Sequence, residues 1–307
     1  MEIDWNQHMD RDKVIVRVKG GLGNQLFGYA AGRRLALANH AELVIDDVTG
    51  FLRDHQYRRK FELDKFAIPA RKATSGERME PFERYRRGLQ KFVNRRKNFD
   101  QRSYIEQEGL DFDSRLLGFR PKGTVYMDGY WQSENYFKDV AETIRHDLQI
   151  SPPMDQANQG MAERMQSCNA VSIHVRWFSD PQSHHNTPEN NLEYNYYVRA
   201  IDRIQGKISA PHFFLFSDDP ISSIKMLALP ESLITCVDLN HQDGKAYLDF
   251  WLMSNCKHFI IANSTFSWWG AWLAESESTI VIAPSNQMTG ISAWGFRGLL
   301  PERWLTC

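Results

Sequence analysis

Apolar and polar positions along the chain follow two rhythms that trade places repeatedly. Val14, Val16 and Val18 alternate with Ile15, Arg17 and Lys19, the period-two pattern of a strand. From Asn24 the period lengthens: Leu26, Phe27, Ala30, Ala31, Leu35 and Ala38 recur by threes and fours, as one face of a helix does. Glu42–Asp46 reads as a second strand, which gives a βαβ start. The stretch 50–120 is charged and irregular, with helical parts. Thr124–Met127 is a further strand ending in a glycine turn, and Ser133-Glu134-Asn135 predicts the cap of a helix running to Leu148. Pro152-Pro153 then breaks regular structure, so Ile150–Met154 reads as a linker.

A second series of alternating elements follows. "NAVSIHV", "HFFLFSDD", "SLITCVDL", "HFIIAN" and "TIVIAP" are apolar runs of strand length. Between them, Tyr196, Val198, Ala200, Ile201 and Ile204 keep helical spacing, and "AYLDFWLMSNC" and "STFSWWGAWLAE" also read as helices. Strands alternating with helices specify buried parallel sheets. Two such series predict an α/β protein of two Rossmann-like domains facing each other across a cleft. The halves are residues 1–150 and 151–307, with the C-terminal tail packing back on the first.

Composition narrows the class. The 307 residues are 42% hydrophobic and 24% charged, as expected of a soluble globular protein, and the net charge of −1 gives no bias towards nucleic acid. The charged start "MEIDWNQHMDRDK" is no signal peptide, and no apolar run approaches the ~20 residues that span a bilayer. Cys168, Cys236, Cys256 and Cys307 form no C-x-x-C pair and read as scattered thiols of a reducing compartment. A cytoplasmic protein is the expectation. One stretch departs from neutrality: Arg84, Arg86, Arg87, Lys91, Arg95, Arg96 and Lys97 crowd residues 84–97. It reads either as a solvated helical face or as a patch for an anionic membrane surface or a pyrophosphate-linked acceptor.

The turn Gly20-Gly21-Leu22-Gly23 sits between a strand and a helix, a common place to hold phosphate. Neither familiar nucleotide loop fits. There is no Lys-Ser/Thr pair after the glycines, and the third glycine of G-x-G-x-x-G is replaced by Leu26. Asn24 and Gln25 stand instead at the helix start, where carboxamides suit neutral hydroxyls.

In parallel α/β sheets ligands bind beyond the carboxyl ends of the strands. Three strand ends of the second series are polar. His174 and Arg176 share one face, with Asp180 in the turn after them; an Arg beside a His suits a diphosphate. Ser217, Asp218 and Asp219 close the next strand, as acceptors for ribose or guanine or as a helix cap. Asn263, Ser264 and Thr265 precede a helix whose free N–H groups make an anion site. Together they point to one nucleotide-diphosphate pocket.

"GGLGNQLF", "GYWQSENYF", "SIHVRW", "LFSDD" and "NSTFSWWGAWL" fall in order from Gly20 to Leu273, and as a set they resemble the bacterial α-1,2-fucosyltransferases of glycosyltransferase family 11. The resemblance implies a GT-B-like fold. It implies transfer of L-fucose from GDP-fucose to a galactose 2-hydroxyl, with inversion, with no cofactor and no required metal. Its donor site would lie in the C-terminal domain, on His174, Arg176, Asp218, Asp219, Ser264, Thr265, Phe266 and Ser267. Its acceptor, a galactose-terminated oligosaccharide or lipid-linked glycan, would lie mainly on the N-terminal domain, on Gly20, Gly21, Gly23, Asn24, Gln25, Trp131 and Gln132. The expected location is the cytoplasm, with a peripheral place on the inner face of the cytoplasmic membrane as the alternative. One departure stands out: the family's H-x-R-R-G-D is here His174-Val175-Arg176-Trp177-Phe178-Ser179-Asp180, with Trp177 in place of the second Arg and the acid one position late.

Arg176 is the expected partner of the β-phosphate, supported by His174. Asp180, Glu189 and Glu193 stay open as bases. The rivals are a metal-dependent sugar transferase, through the D-x-D of Asp111-Phe112-Asp113 or the pair His184-His185, and a non-catalytic carbohydrate-binding protein.

Overall fold

The computed structural model describes residues 12–153, 155–178, 191–240, 245–288 and 293–307. The chain divides into two compact units, Met1–Gln149 and Ile150–Cys307.

The first unit runs β1 (Lys13–Arg17), α1 (Leu22–Ala38), β2 (Glu42–Asp46), β3 (Arg71–Lys72), α2 (Glu83–Asn94), β4 (Tyr104–Glu106), α3 (Arg115–Gly118), β5 (Thr124–Asp128) and α4 (Ala141–Asp147). The strands form one parallel sheet in the order β3-β2-β1-β5-β4. β1 is central, so its alternation gives way to burial on both faces: Val14, Ile15 and Val16 are all sealed from water. Each such side chain contributes roughly 1.5–3 kcal/mol relative to exposure. The register sets Arg17 between Asp46 and Asp128, so the polar groups gather at the carboxyl ends of the three central strands.

Two features of this unit differ from the sequence reading. β3 and β4 lie within the stretch read as irregular; at two and three residues they are too short to show a period. The helix expected from Ser133 to Leu148 is broken into two 3₁₀ turns, Glu134–Tyr136 and Lys138–Val140, before α4 begins. Ser133 does cap the first turn, accepting from the Asn135 N–H.

The second unit runs α5 (Gln156–Gln166), β6 (Asn169–Val175), α6 (Tyr194–Gln205), β7 (Pro211–Ser217), α7 (Pro220–Leu227), β8 (Ile234–Cys236), α8 (Ala246–Met253), β9 (His258–Ile260), α9 (Thr265–Ala274), β10 (Val281–Ala283) and β11 (Leu305–Thr306). All pairings are parallel, in the order β11-β10-β9-β6-β7-β8. This is the dinucleotide-fold order, with its reversal between β6 and β9, and the crevice at such a reversal is where ligands bind. The C-terminal residues Leu305–Thr306 supply β11 at the edge of the second unit's sheet.

The core of this sheet joins Val171, Ile173 and Val175 of β6 to Tyr196, Tyr197, Ala200 and Ile204 of α6. On the α9 side, Trp268, Trp269 and Trp272 are fully buried and pack edge-to-face or stacked upon one another. They are structural, as their helical spacing implies. The four cysteines are free thiols. Among the described residues no helix is long and apolar enough to cross a membrane.

Candidate active site

β6 carries the site because it lies at the reversal. Its last residues therefore have β7 on one side and β9, leading into α9, on the other. His174 uses the α9 side: its Nδ1 lies 2.8 Å from the Ser267 Oγ. The ring is buried at 7% exposure, and burial, with the neighbouring charge of Arg176 adding to it, pushes the imidazole down to about 3. His174 is therefore neutral at physiological pH. Tyr197 steadies it from beneath, its hydroxyl donating to the His174 carbonyl at 3.2 Å. Ser267, fully buried, also accepts from the Ala262 N–H at 3.3 Å.

Arg176 uses the β7 side. Its Nη1 donates to Asp218 Oδ2 at 2.6 Å, and Asp218 Oδ1 accepts from the Trp177 N–H at 2.9 Å. Both side chains of this pair are about one-third exposed. Trp177, standing where the family pattern has a second Arg, donates from Nε1 to the Ser223 Oγ at 2.8 Å and packs against the core. An indole thus anchors the loop to α7.

Several of the expected site residues have partners within the protein. Asp218 and Arg176 bind each other, so the carboxylate positions the guanidinium. Asp219 caps α7, accepting from the Ser222 N–H at 3.0 Å with Pro220 following in the first turn. Ser264 caps α9, accepting from the Phe266 N–H at 3.3 Å. Ser267 supports His174 from behind. Ser264, Thr265 and Phe266 are half-buried at the start of α9, where backbone N–H groups and the helix dipole favour an anion. Phe266 also lies against the His174 ring, with centroids 6.0 Å apart. Asp180, Glu189, His184 and His185 lie outside the described residues. Glu193 is exposed and precedes α6.

In the first unit, the glycine turn is built for closeness. Gly20 adopts φ +76°, and a Cβ there would meet Asn24 Nδ2 at 2.8 Å. Gly21 is the N-cap of α1, and Gly23 is buried in its first turn. Gln25 is not available to a sugar: it is fully buried, donating to the Gly20 and Lys60 carbonyls at 3.0 and 2.8 Å and accepting from the Glu62 N–H at 3.0 Å. The carboxamide pins the turn to the 60–62 loop. Trp131 is likewise buried at φ +56°, edge-to-face with Tyr136, and is a core residue. Asn24 and Gln132 bond each other, Gln132 donating at 2.7 Å to the Asn24 Oδ1, and both are part-exposed. Of the expected acceptor residues with polar side chains, these two are part-exposed, and Gly20 and Gly21 are part-exposed in the turn beside them. Asp113 of the D-x-D is forked by Arg115 at 2.6–3.0 Å.

Comparison with known proteins fits this geometry. Residues 83–291 match the model of Glycosyl transferase family 11, a span that holds the His174, Asp218 and Ser264 strand ends and begins after the glycine turn. The α-1,2-colitosyltransferase of Escherichia coli is 31% identical over 301 residues, covering 95% of this chain and 98% of that enzyme. The O-antigen biosynthesis glycosyltransferase WbnK of Escherichia coli is 30% identical over 296 residues, covering 89% of this chain and 94% of its own. In three dimensions the fucosyltransferase NodZ from Bradyrhizobium aligns with a TM-score of 0.51 at 15% identity, over 85% of this chain and 92% of NodZ, which shows the shared GT-B fold. With the family's motifs on adjacent strand ends and relatives matched over nearly its whole length, this glycosyltransferase belongs to glycosyl transferase family 11.

Proposed function

We propose that the protein transfers L-fucose from GDP-fucose to the 2-hydroxyl of a galactose residue in a glycan acceptor, inverting the anomeric centre and needing no cofactor or metal. The observation that carries this reading is the pairing at the β6 carboxyl end, with a neutral His174 on Ser267 to one side and Arg176 on Asp218 to the other. A fixed cation, a neutral imidazole and a helix N-terminus lie at neighbouring strand ends, where a diphosphate leaving group needs them. NodZ, of the same fold, was co-crystallized with GDP.

In a single displacement the acceptor oxygen bonds to C1 as the C1–O bond to the β-phosphate breaks, and the acceptor proton is lost. Charge builds on the departing diphosphate. Arg176 faces that charge with the donors Asp218 does not use, and Asp218 holds the guanidinium in place. The Ser267 hydroxyl lies within reach of both the Ser264 carbonyl, at 3.3 Å, and His174 Nδ1, at 2.8 Å: where it donates to Nδ1 the ring proton sits on Nε2 and is offered to a phosphate oxygen, and where it donates to Ser264 the proton sits on Nδ1. With its pKa near 3, the ring gives a hydrogen bond and not a proton. Asp180, Glu189 and Glu193 remain the candidates for the base. The acceptor is a galactose-terminated oligosaccharide or lipid-linked glycan reaching Asn24 and Gln132, and the basic stretch Arg84–Lys97 gives peripheral contact with an anionic membrane.

The colitosyltransferase relative supports a second donor. Colitose is fucose without its 3-hydroxyl, so one site can accept either sugar unless a group bonds that hydroxyl. Turnover of GDP-fucose and GDP-colitose side by side, with linkage analysis of each product, tests the reading. Transfer to a position other than the 2-hydroxyl overturns the linkage, and exclusive use of GDP-colitose overturns the donor.

A further inference from the structure

The first sheet has its own strand-order reversal, between β1 and β5, and charged side chains crowd the carboxyl ends there: Arg17, Asp128 and, on β4, Glu106, which accepts from Lys91 at 2.7 Å. Asp128, at the end of β5, is buried and bonded by Arg17 at 3.1 Å and Lys19 at 3.0 Å, with Lys91 of α2 at 3.1 Å. Burial works against its ionisation, but the three cations outweigh it and hold the carboxyl far below its ordinary range. Around this cluster opens a cavity of about 350 Å³, lined by five basic side chains, Arg17, Arg53, Arg84, Arg87 and Lys91, against two acidic ones, Glu83 and Asp128. Gly50 forms part of the wall, and a Cβ there would meet the Val18 carbonyl oxygen at 1.9 Å, so the backbone itself closes on the site.

Arg87 is the unexplained group. It is 9% exposed, its Nη1 is sealed from solvent, and no described residue bonds it. A buried guanidinium nitrogen without an acceptor is costly, because it has given up water and gained no partner. It is retained here in a cavity where four other cations converge. Arg84, Arg87 and Lys91 all line this cavity and recur at helical spacing along α2. The opposite face of α2 is apolar and bare: Tyr85, Leu89 and Phe92 are 78%, 62% and 58% exposed. Arg86, Arg96 and Lys97 flank that stripe, a combination that suits the surface of an anionic bilayer.

We propose that the cavity at the β1–β5 reversal is a diphosphate site, and that it is filled in use by the diphosphate joining the glycan acceptor to a lipid, with the outer face of α2 on the bilayer. Bidentate Arg87 and the exposed Arg53 and Arg84 would bind the phosphate oxygens, while Asp128 keeps Arg17 and Lys91 in position. The assignment of the lipid-linked acceptor rests on the transfer reaction proposed above; the diphosphate site does not.

The test is titration calorimetry of inorganic pyrophosphate into the full chain saturated with GDP, so that the donor pocket is already filled. Wild type is expected to bind one pyrophosphate. Arg87→Met, which keeps the buried stem, and the double surface variant R53A/R84A are each expected to weaken it at least tenfold, with GDP affinity as the control for folding. No pyrophosphate binding in wild type, or unchanged binding in both variants, overturns the site. Initial rates then identify the source of the diphosphate. A galactoside on an alkyl diphosphate is expected to show a KM at least tenfold below that of the plain galactoside, and the advantage should vanish in R87M. Equal KM values with pyrophosphate binding intact overturn the acceptor assignment. Pyrophosphate binding lost in R87M, with no transfer to either acceptor, upholds the site and places the failure in the proposed reaction.

Discussion

The buried neutral His174 makes the stability of the second unit sensitive to acid in a calculable way. Its imidazole is pushed from an ordinary 6.5 to about 3 in the folded protein. Below pH 6.5 the unfolded chain takes up a proton that the folded one refuses, so stability falls as pH falls from about 6.5 towards 3 and is unaffected by this group above that window. At pH 4 the loss integrates to about 3 kcal/mol, at ~1.4 kcal/mol per unit of pKa difference. That is a large share of the ~5–15 kcal/mol by which a domain is stable. The perturbation is His174→Gln, which keeps a polar partner for Ser267 and cannot titrate. The assay is urea denaturation at pH 7 and pH 4, followed by tryptophan fluorescence. Seven of the nine tryptophans lie beyond residue 150, so the signal reports chiefly on the second unit. Carboxylates titrate in both proteins and cancel in the comparison. Wild type is expected to lose about 3 kcal/mol more than the variant between the two pH values. Equal losses would refute the claim that His174 is held neutral by burial.

Other expectations follow from the same geometry. Arg176→Ala should lower turnover ~10²–10³-fold while thermal unfolding stays near wild type, because the side chain is only part-buried; normal turnover in the folded variant would remove Arg176 from the leaving-group site. Asp218→Ala, by freeing the guanidinium, should cost roughly tenfold in kcat/KM for the donor, as expected of one charge-assisted hydrogen bond, seen in steady-state kinetics. Gln25→Ala should destabilise the first unit by about 2–4 kcal/mol, since it strands the Gly20 and Lys60 carbonyls and the Glu62 N–H in a buried turn. Chemical denaturation measures this, and a neutral result would return Gln25 to the surface.

The long strands of the second unit were legible because they are buried on both faces. β6 and β7 are continuous apolar runs, and their polar ends could be read as strand ends. β3, β8, β9, β10 and β11 are two or three residues long, and no periodicity can fix the boundaries of so short a run. Candidate site residues were legible by type and not by direction. Gln25 looked like a sugar ligand because two of its three partners, the Lys60 carbonyl and the Glu62 N–H, lie on a loop 35 to 37 residues away and are invisible from the glycine motif. Asp218 and Asp219, adjacent in sequence, take different roles because Asp219 precedes Pro220 and must cap a helix. The basic stretch was read either as a solvated face or as a patch for an anionic surface or a pyrophosphate-linked acceptor; in α2 Arg87 is buried, whereas Arg84 and Arg86 are exposed together with Tyr85 and Leu89. The three-four spacing of Arg84, Arg87 and Lys91 against Tyr85, Leu89 and Phe92 was the available signal, since it already separates a cationic face from an apolar one.

The most direct test of the central claim is GDP release from GDP-fucose in buffer containing EDTA, with and without a β-galactoside acceptor. The account predicts acceptor-stimulated release that survives the chelator and collapses in R176A, with fucose found on the galactose 2-hydroxyl. Release that requires a divalent cation, or that is unchanged in folded R176A, would contradict it.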